Sequence, residues 1–324
     1  MDISVVVPTH NRCKIAVRTL QTLFAQRVPA SAYEIVVVVD GSTDGTADVL
    51  RRLRPACRFR VIEQENRGPS AARNAGYKAA EAALVLFLDD DMLCDPGLVA
   101  AHIAAQKESA RAVAYGAIFL SPDSPPSLAA ECFQREIGAF HQQRKANPQL
   151  PWRVADCVFS NASVPRALLG DFSGFDETYR KREDLELGIR LLKAGVEPRY
   201  LSDAIAYQYF EKTSADLVRE AEAFAVADAK LARRYPAAFI ESQLIWDEEE
   251  PWWKQRMRRL AAAAPAVTDI FLIPVCALGE ILFQIPAFRA LGIRALQMRR
   301  RIHWYRKALD LGWRQPNPAR GKAA

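Results

Sequence analysis

A chain of 324 residues that is 50% hydrophobic and 25% charged can bury one large core or two unequal ones, and this is not the composition of a disordered chain. Its six cysteines, at positions 13, 57, 94, 132, 157 and 276, form no CxxC pair and no Cys/His cluster at zinc spacing, which argues against a disulfide framework or a zinc site and for a reducing compartment. The net charge of +6 is unevenly placed: residues 252–324 carry 14 Lys+Arg against 3 Asp+Glu, so any long-range attraction to an anionic partner belongs to that region.

Residues 3–7 and 34–39 are short β-branched runs that flank a helical stretch from Lys14 to Arg27, which makes a βαβ unit. The alternation continues with a helix at Thr46 to Leu53, a strand at Arg60 to Ile62, a helix at Ser70 to Ala82 and a fully apolar strand at Ala83 to Leu88. A helix near Pro96 to Glu108 precedes weaker strands at Ala112 to Leu120 and Cys157 to Val164, with the proline-rich segment Ser121 to Pro126 as a loop. This pattern predicts an α/β fold, an open, mostly parallel sheet with helices on both faces. Further helices are expected at Asp184 to Ala194 and Ser214 to Arg234, followed by an acidic and aromatic connector at Trp246 to Trp253. The division expected is one α/β domain over 1–235, in two halves that meet at about 110, and a helical basic region over 236–324.

No basic, apolar leader opens the chain, and its longest uninterrupted apolar run, Ile270 to Gly279, is far short of the roughly 18 to 20 residues of a spanning helix. A cytoplasmic protein, peripheral at most to the inner face of a membrane, is expected.

Ligands of open parallel sheets bind beyond the carboxyl ends of the strands. Three such ends carry unusual chemistry: Pro8-Thr9-His10-Asn11-Arg12, Asp40-Gly41-Ser42-Thr43-Asp44-Gly45-Thr46, and Asp89-Asp90-Asp91. If the last continues a strand, Asp89 and Asp91 point one way and Asp90 the other. Converging carboxylates need a proton or a cation between them, and oxygen-only ligands suit Mg2+ or Mn2+ bridging to a phosphate. The plainer alternative is a solvated acidic turn. Asp40 could accept a hydrogen bond from a nucleobase, or its loop could simply cap the next helix through Ser42 or Thr46.

Val5 to Arg12, Val39 to Thr46, Asn66-Arg67-Gly68-Pro69-Ser70-Ala71-Ala72-Arg73-Asn74-Ala75-Gly76 and Phe87-Leu88-Asp89-Asp90-Asp91, in that order and spacing, resemble family 2 glycosyltransferases over residues 1 to about 210. The resemblance implies a GT-A fold, a nucleoside-diphosphate-sugar donor, most simply a UDP-sugar, and a divalent cation, Mn2+ or Mg2+. It also implies inversion at the anomeric carbon, and it makes 1–235 a GT-A catalytic domain with a nucleotide-binding half to about 110 and an acceptor-side half from 111. By position, Thr9 and Asp40 fall where the family contacts base and ribose, Asp89 and Asp91 on its DXD-type carboxylates, and Arg73 on the nucleotide side. Asn161 falls where the family often meets the donor sugar or shapes the acceptor side, although a residue satisfying its own turn would look the same.

Gly174-Phe175-Asp176-Glu177 resembles the GGFDE-type loop, with Ser173 for its first glycine, and Arg182-Glu183-Asp184 resembles the ED motif that supplies a general base. Independently, inverting transfer needs a carboxylate that takes the acceptor proton, and Asp184 at a helix start is suited to this, as it is to plain capping. Where the family often has a histidine after the ED helix, this chain has Ala206-Tyr207-Gln208-Tyr209, so Gln208 is the candidate substitute.

In the tail, Phe288, Leu291, Ala295, Met298, Ile302, Tyr305 and Leu309 recur at spacings of 3 and 4 amid arginines. Such a helix fits an anionic membrane surface, and the stretch Ala261 to Phe288 could dip into the same interface; packing on the catalytic domain or in a homodimer is the alternative. No nucleic-acid-binding module accompanies the charge. The expected acceptor is a hydroxyl of a glycan or lipid-linked molecule, and the competing function is a catalytically silent nucleotide-sugar-binding or scaffold protein.

Overall fold

The computed structural model describes residues 1–106, 111–147, 149–236 and 263–312. The expected connector at Trp246 to Trp253 lies outside the described residues. The chain divides into two compact units, Met1–Ser124 with Gln134–Phe210, and Pro125–Phe133 with the residues from Glu211 onward.

The first unit is built on one eight-stranded sheet in the order β3-β2-β1-β4-β7-β6-β8-β5. Its first half joins β1 (Ile3–Thr9), β2 (Tyr33–Asp40), β3 (Arg58–Gln64) and β4 (Leu84–Leu88), all mutually parallel. The valine run of β2 and the leucine-rich β4 flank β1: every residue of both is buried, as strands covered on both faces must be. The helices α1 (Cys13–Phe24), α2 (Thr46–Arg51) and α3 (Pro69–Ala79) make the crossovers. Proline stands in the first turn of α3, where its missing N–H costs no helical bond. At Gly76 that helix lies so close to β1 that a Cβ would run into Val6.

The second half is mixed. Here β7 (Asn161–Pro165) runs antiparallel to β4 and to β6 (Ala112–Leu120), while β8 (Glu197–Gln208) lies parallel to β6 and pairs antiparallel with the short β5 (Met92–Cys94). The strand β7 begins four residues later than Cys157, because β4 pairs only with 161–165. The helices α4 (Leu98–Gln106), α6 (Arg166–Asp171) and α7 (Glu183–Lys193) complete the unit. Beneath the site, Phe87, Phe159 and Phe175 meet edge to face with centroids 5.1 to 6.0 Å apart, the geometry that ring quadrupoles prefer.

Ser121 to Pro126 is a loop, as expected, and the residues after it form a 19-residue helix, α5 (Leu128–Ala146). The second unit contains the start of α5, α8 (Ser214–Arg234), α9 (Pro265–Ile281) and α10 (Pro286–Asp310). Thr213 caps α8 with Asp216 in a reciprocal box. The helices α9 and α10 meet at Gly279 and Gly292, where a Cβ on Gly279 would stand 2.8 Å from the Cα of Gly292.

The stripe expected on α10 is only partly buried. Ala295, Ile302 and Tyr305 are buried, whereas Leu291, Met298 and Leu309 are 49%, 54% and 39% exposed. Ile293 and Leu296, off that stripe, are fully buried as well, because α8 and α9 both pack on α10.

Candidate active site

The carboxyl ends of β1, β2 and β4 converge, as parallel neighbours in register dictate. After β1, the His10 ring donates from Nδ1 to the carbonyl of Asp40 at 2.6 Å, and the Asn11 amide donates to Ser42 Oγ at 2.9 Å. Asn11 Oδ1 in turn accepts from the Thr43 amide at 2.7 Å. Among the described residues Asn11 is one of three non-glycine residues with positive φ, at 51°; the others are Ser173, the substitute for a glycine, and Arg182 at the start of α7. All three lie in loops around the site, where such strain is commonly held.

Asp89, Asp90 and Asp91 form a tight turn between β4 and β5 and do not continue the strand, so the expected alternation fails. Asp90 and Asp91 turn to one cation: Arg12 Nη1 donates to Asp90 Oδ1 at 2.8 Å, and both terminal nitrogens donate to Asp91 Oδ2 at 3.1 Å. Thr9 also belongs to this cluster, its hydroxyl donating to Asp90 Oδ2 at 2.7 Å. Burial pushes Asp90 up to about 7 against the pull of Arg12, and it raises Asp91 as well. Arg12 closes the segment Pro8 to Arg12, and the sequence alone assigns it no role. The signal was present, since three adjacent carboxylates require a nearby cation.

Asp89 faces elsewhere. Arg73, only 6% exposed, donates to Asp89 Oδ1 at 2.7 Å and to Glu183 Oε1 at 2.6 Å, and so ties the acidic turn to the first residue of α7. Burial disfavours the guanidinium charge, yet Asp89 and Glu183 together hold it protonated. Asp184 follows. Its Oδ1 accepts from the Leu185 amide at 2.8 Å, and no hydrogen bond to its Oδ2 is seen among the described residues. Burial, reinforced by Glu183, pushes the half-buried Asp184 up to about 7, with Arg182 and Arg73 pulling it down.

The other expected residues divide. Asp40 is buried and braces a loop: its carboxylate accepts from Gln64 Nε2 at 2.7 Å, the Arg67 amide at 2.9 Å and the Gly68 amide at 2.8 Å. Gln208, at the end of β8, donates from Nε2 to Asp91 Oδ2 at 3.3 Å, so it does reach the acidic turn. Asn161 is not brought to the cluster. It fills a register shift between β6 and β8, donating to the carbonyls of Ala117 and Ala204 at 3.2 and 2.9 Å and accepting from His102 Nε2 at 3.0 Å. Burial lowers His102 to about 4 and keeps that ring neutral.

Among the described residues no group of three His, Cys, Asp or Glu is placed to hold a metal ion. The donors nevertheless fit a divalent cation that brings its other ligands with it. Asp91 Oδ1 is buried with no hydrogen-bond partner, an orphaned acceptor of the kind a cation satisfies, and Asp89 keeps one oxygen outside its bond to Arg73. Mg2+ and Mn2+ are commonly held by one or two carboxylates, with substrate phosphates and water completing the shell.

The profile of glycosyl transferase family 2 matches residues 4–172. The validoxylamine A glucosyltransferase of Streptomyces hygroscopicus subsp. jinggangensis is 33% identical over 225 residues, covering 60% of this chain and 52% of that protein. The pre-mycofactocin glycosyltransferase of Mycobacterium tuberculosis is 30% identical over 253 residues, 72% of this chain and 48% of that protein. The chain thus spans about half the length of these curated relatives. Among solved structures, the mannosyltransferase PcManGT from Pyrobaculum calidifontis, in complex with GDP-Man and Mn2+, superposes with a TM-score of 0.65 at 21% identity, over 97% of this chain and 88% of that one. That likeness identifies the GT-A fold. With its profile match over more than half its length and the strand-end cluster in place, the chain belongs to glycosyl transferase family 2.

Proposed function

We propose that this protein transfers a sugar from a nucleoside-diphosphate-sugar to a hydroxyl of a glycan or lipid-linked acceptor in one inverting displacement. The observation that carries this reading is the open Oδ2 of Asp184, held beside an arginine that also grips the acidic turn. An acceptor hydroxyl bound there gives its proton to Asp184 as its oxygen bonds to the anomeric carbon. The bond from that carbon to the diphosphate breaks, and the nucleoside diphosphate departs.

Arg73 holds Asp89 and Glu183 in fixed positions, so that the turn and the base keep their spacing as charge moves. The loops braced by Asp40 and Asn11 hold fixed the strand ends against which the nucleoside would lie. Asp91, with Asp89, would hold a divalent cation, which when bound supplies positive charge to the leaving diphosphate. The GDP-Man and Mn2+ of PcManGT support the donor class and the cation, and the glucosyltransferase relative supports transfer of a hexose.

Nucleoside identity is tested by thermal shift with UDP-, GDP- and dTDP-sugars, with and without Mn2+, since a ligand bound only by the folded state raises its stability. A UDP-sugar is the expected responder. Asp91→Ala should abolish the Mn2+-dependent part of that shift, and an unchanged shift would remove Asp91 from the cation site. A second reading, a silent nucleotide-sugar-binding protein, is favoured by Gln208 where the family often has histidine and by the claim of Arg12 on Asp91. Slow hydrolysis of donor by the purified protein with Mn2+ separates the two, because a silent protein shows none.

A further inference from the structure

The helix α9 has its polarity reversed relative to a surface helix in water. Its exposed residues are apolar, with Val267 54%, Ile270 66%, Phe271 69%, Ile273 48%, Leu278 41% and Ile281 78% accessible. Its only two charged residues, Asp269 and Glu280, are turned inward. Asp269 accepts from Arg299 Nε at 2.7 Å and Nη2 at 3.1 Å and meets His303 Nε2 at 3.1 Å. Glu280 accepts from Ser214 Oγ at 3.0 Å and the Leu128 amide at 3.2 Å. A helix of 17 residues thus presents an uncharged, apolar outer face whose two carboxylates are neutralised or bonded from behind.

We propose that this face of α9 inserts into the interfacial layer of an anionic membrane and holds the protein there as a peripheral protein. Charge selects lipid over other occupants. The adjoining helix α10 carries seven Lys+Arg and one Asp, with Arg294, Arg301 and Lys307 exposed, and residues 252–324 carry 14 Lys+Arg against 3 Asp+Glu. A second copy of the chain would bring the same positive charge against itself. Anionic headgroups around buried hydrocarbon satisfy both the charge and the apolar face. No helix among the described residues is long and apolar enough to cross a membrane, which suits insertion from one side. The surface differs from the α10 stripe legible in the sequence, because that stripe is half consumed by packing on α8 and α9.

The test is flotation of the full chain with phosphatidylcholine vesicles with and without phosphatidylglycerol. The wild type should float with the anionic vesicles, bind neutral ones at least about tenfold less, and be partly released at about 0.5 M salt. The double variant Ile270→Glu, Phe271→Glu, altered at two solvent-facing positions, should keep its circular dichroism spectrum and melting temperature and lose flotation by about tenfold or more. Arg294→Glu with Lys307→Glu should weaken binding to the anionic vesicles selectively. Equal flotation of the Ile270/Phe271 variant and wild type would overturn the assignment of this face. So would a wild type that ignores anionic vesicles at low salt, and a dimer in gel filtration that the double variant converts to monomer would assign the face to a second copy. Donor thermal shift in the same samples is independent: its loss with flotation intact would count against the catalytic reading alone.

Discussion

Arg12 grips Asp91 with both terminal nitrogens of its guanidinium, each 3.1 Å from the same carboxylate oxygen, Oδ2, and leaves Oδ1 buried and unpartnered. The arginine therefore stands as counter-charge to the acidic turn, and a divalent cation held by Asp91 would have it as a competitor. Arg12→Gln removes that competitor while Asp90 and Asp91 remain. Mn2+ binding without nucleotide, measured by calorimetry, should tighten by about tenfold, the scale of one lost ion-pair partner. Equal affinity in variant and wild type would mean that Arg12 and the metal do not share Asp91.

Asp184→Asn should lower transfer by about 10²-fold or more and leave donor affinity within about a factor of two, because a general base is needed only as the acceptor bond forms. Asp184 must be ionised to act, and burial pushes it up to about 7, so kcat/KM of the wild type should rise with pH through that region. The stability sign is opposite. A carboxylate whose folded pKa lies above its unfolded one is most compatible with the fold below the unfolded value, and this contribution is lost as pH rises through about 7. The Asn variant should therefore melt higher than wild type at pH 8, by a margin that shrinks at pH 5; the same margin at both would place the titration elsewhere.

Arg73 sits between Asp89 and Glu183 with little exposure, so Arg73→Met strands two carboxylates near one another. Breaking a buried ion pair by removing one member typically costs about 3 to 5 kcal/mol, which for a chain of this size is a drop on the order of 10 °C in Tm. Because the charge of Arg73 also pulls Asp184 down, the pH at which activity rises should move upward in Arg73→Met, which removes that charge, and stay near the wild-type value in Arg73→Lys, which keeps it. A wild-type melting temperature in Arg73→Met would show that the bridge contributes nothing to the fold.

Gly41 follows Asp40 with φ of +71°, and a Cβ there would lie 2.6 Å from the Asn66 amide nitrogen. Gly41→Ala should push the Asn66 to Gly68 loop off the Asp40 carboxylate and weaken nucleotide binding together with stability, by about 1 to 3 kcal/mol in the latter. Thermal melts with and without donor check both; an alanine variant with wild-type melting and donor shift would show that the loop can move aside freely.

The sequence by itself determined the elements whose evidence is local. The runs Val5–Val7 and Val36–Val39 and the wholly apolar Leu84–Leu88, each closed by turn-forming or acidic residues, read as strands covered on both faces, so β1, β2 and β4 were legible, as was β6 over Ala112–Leu120. The order and spacing of the strand-end motifs likewise carried the family. What only the tertiary structure decided was which neighbour each polar group meets. The strand β8 was hidden because Glu197-Pro198-Arg199 and Ser202-Asp203 break any alternation, and it exists because β6 and β5 supply its hydrogen bonds. The same reasoning explains Asn161, a strand-end residue whose amide fills a shift between two other strands, and the Asp triplet, whose turn sends Asp89 to Arg73 and its neighbours to Arg12. In the tail, spacing revealed an apolar helix in α10, but packing on α8 and α9 chose its buried face. That packing also drew Asp269 and Glu280 of α9 inward, leaving apolar side chains to face outward. Periodicity records which residues share a side of one element; it holds no information about which element arrives to cover that side.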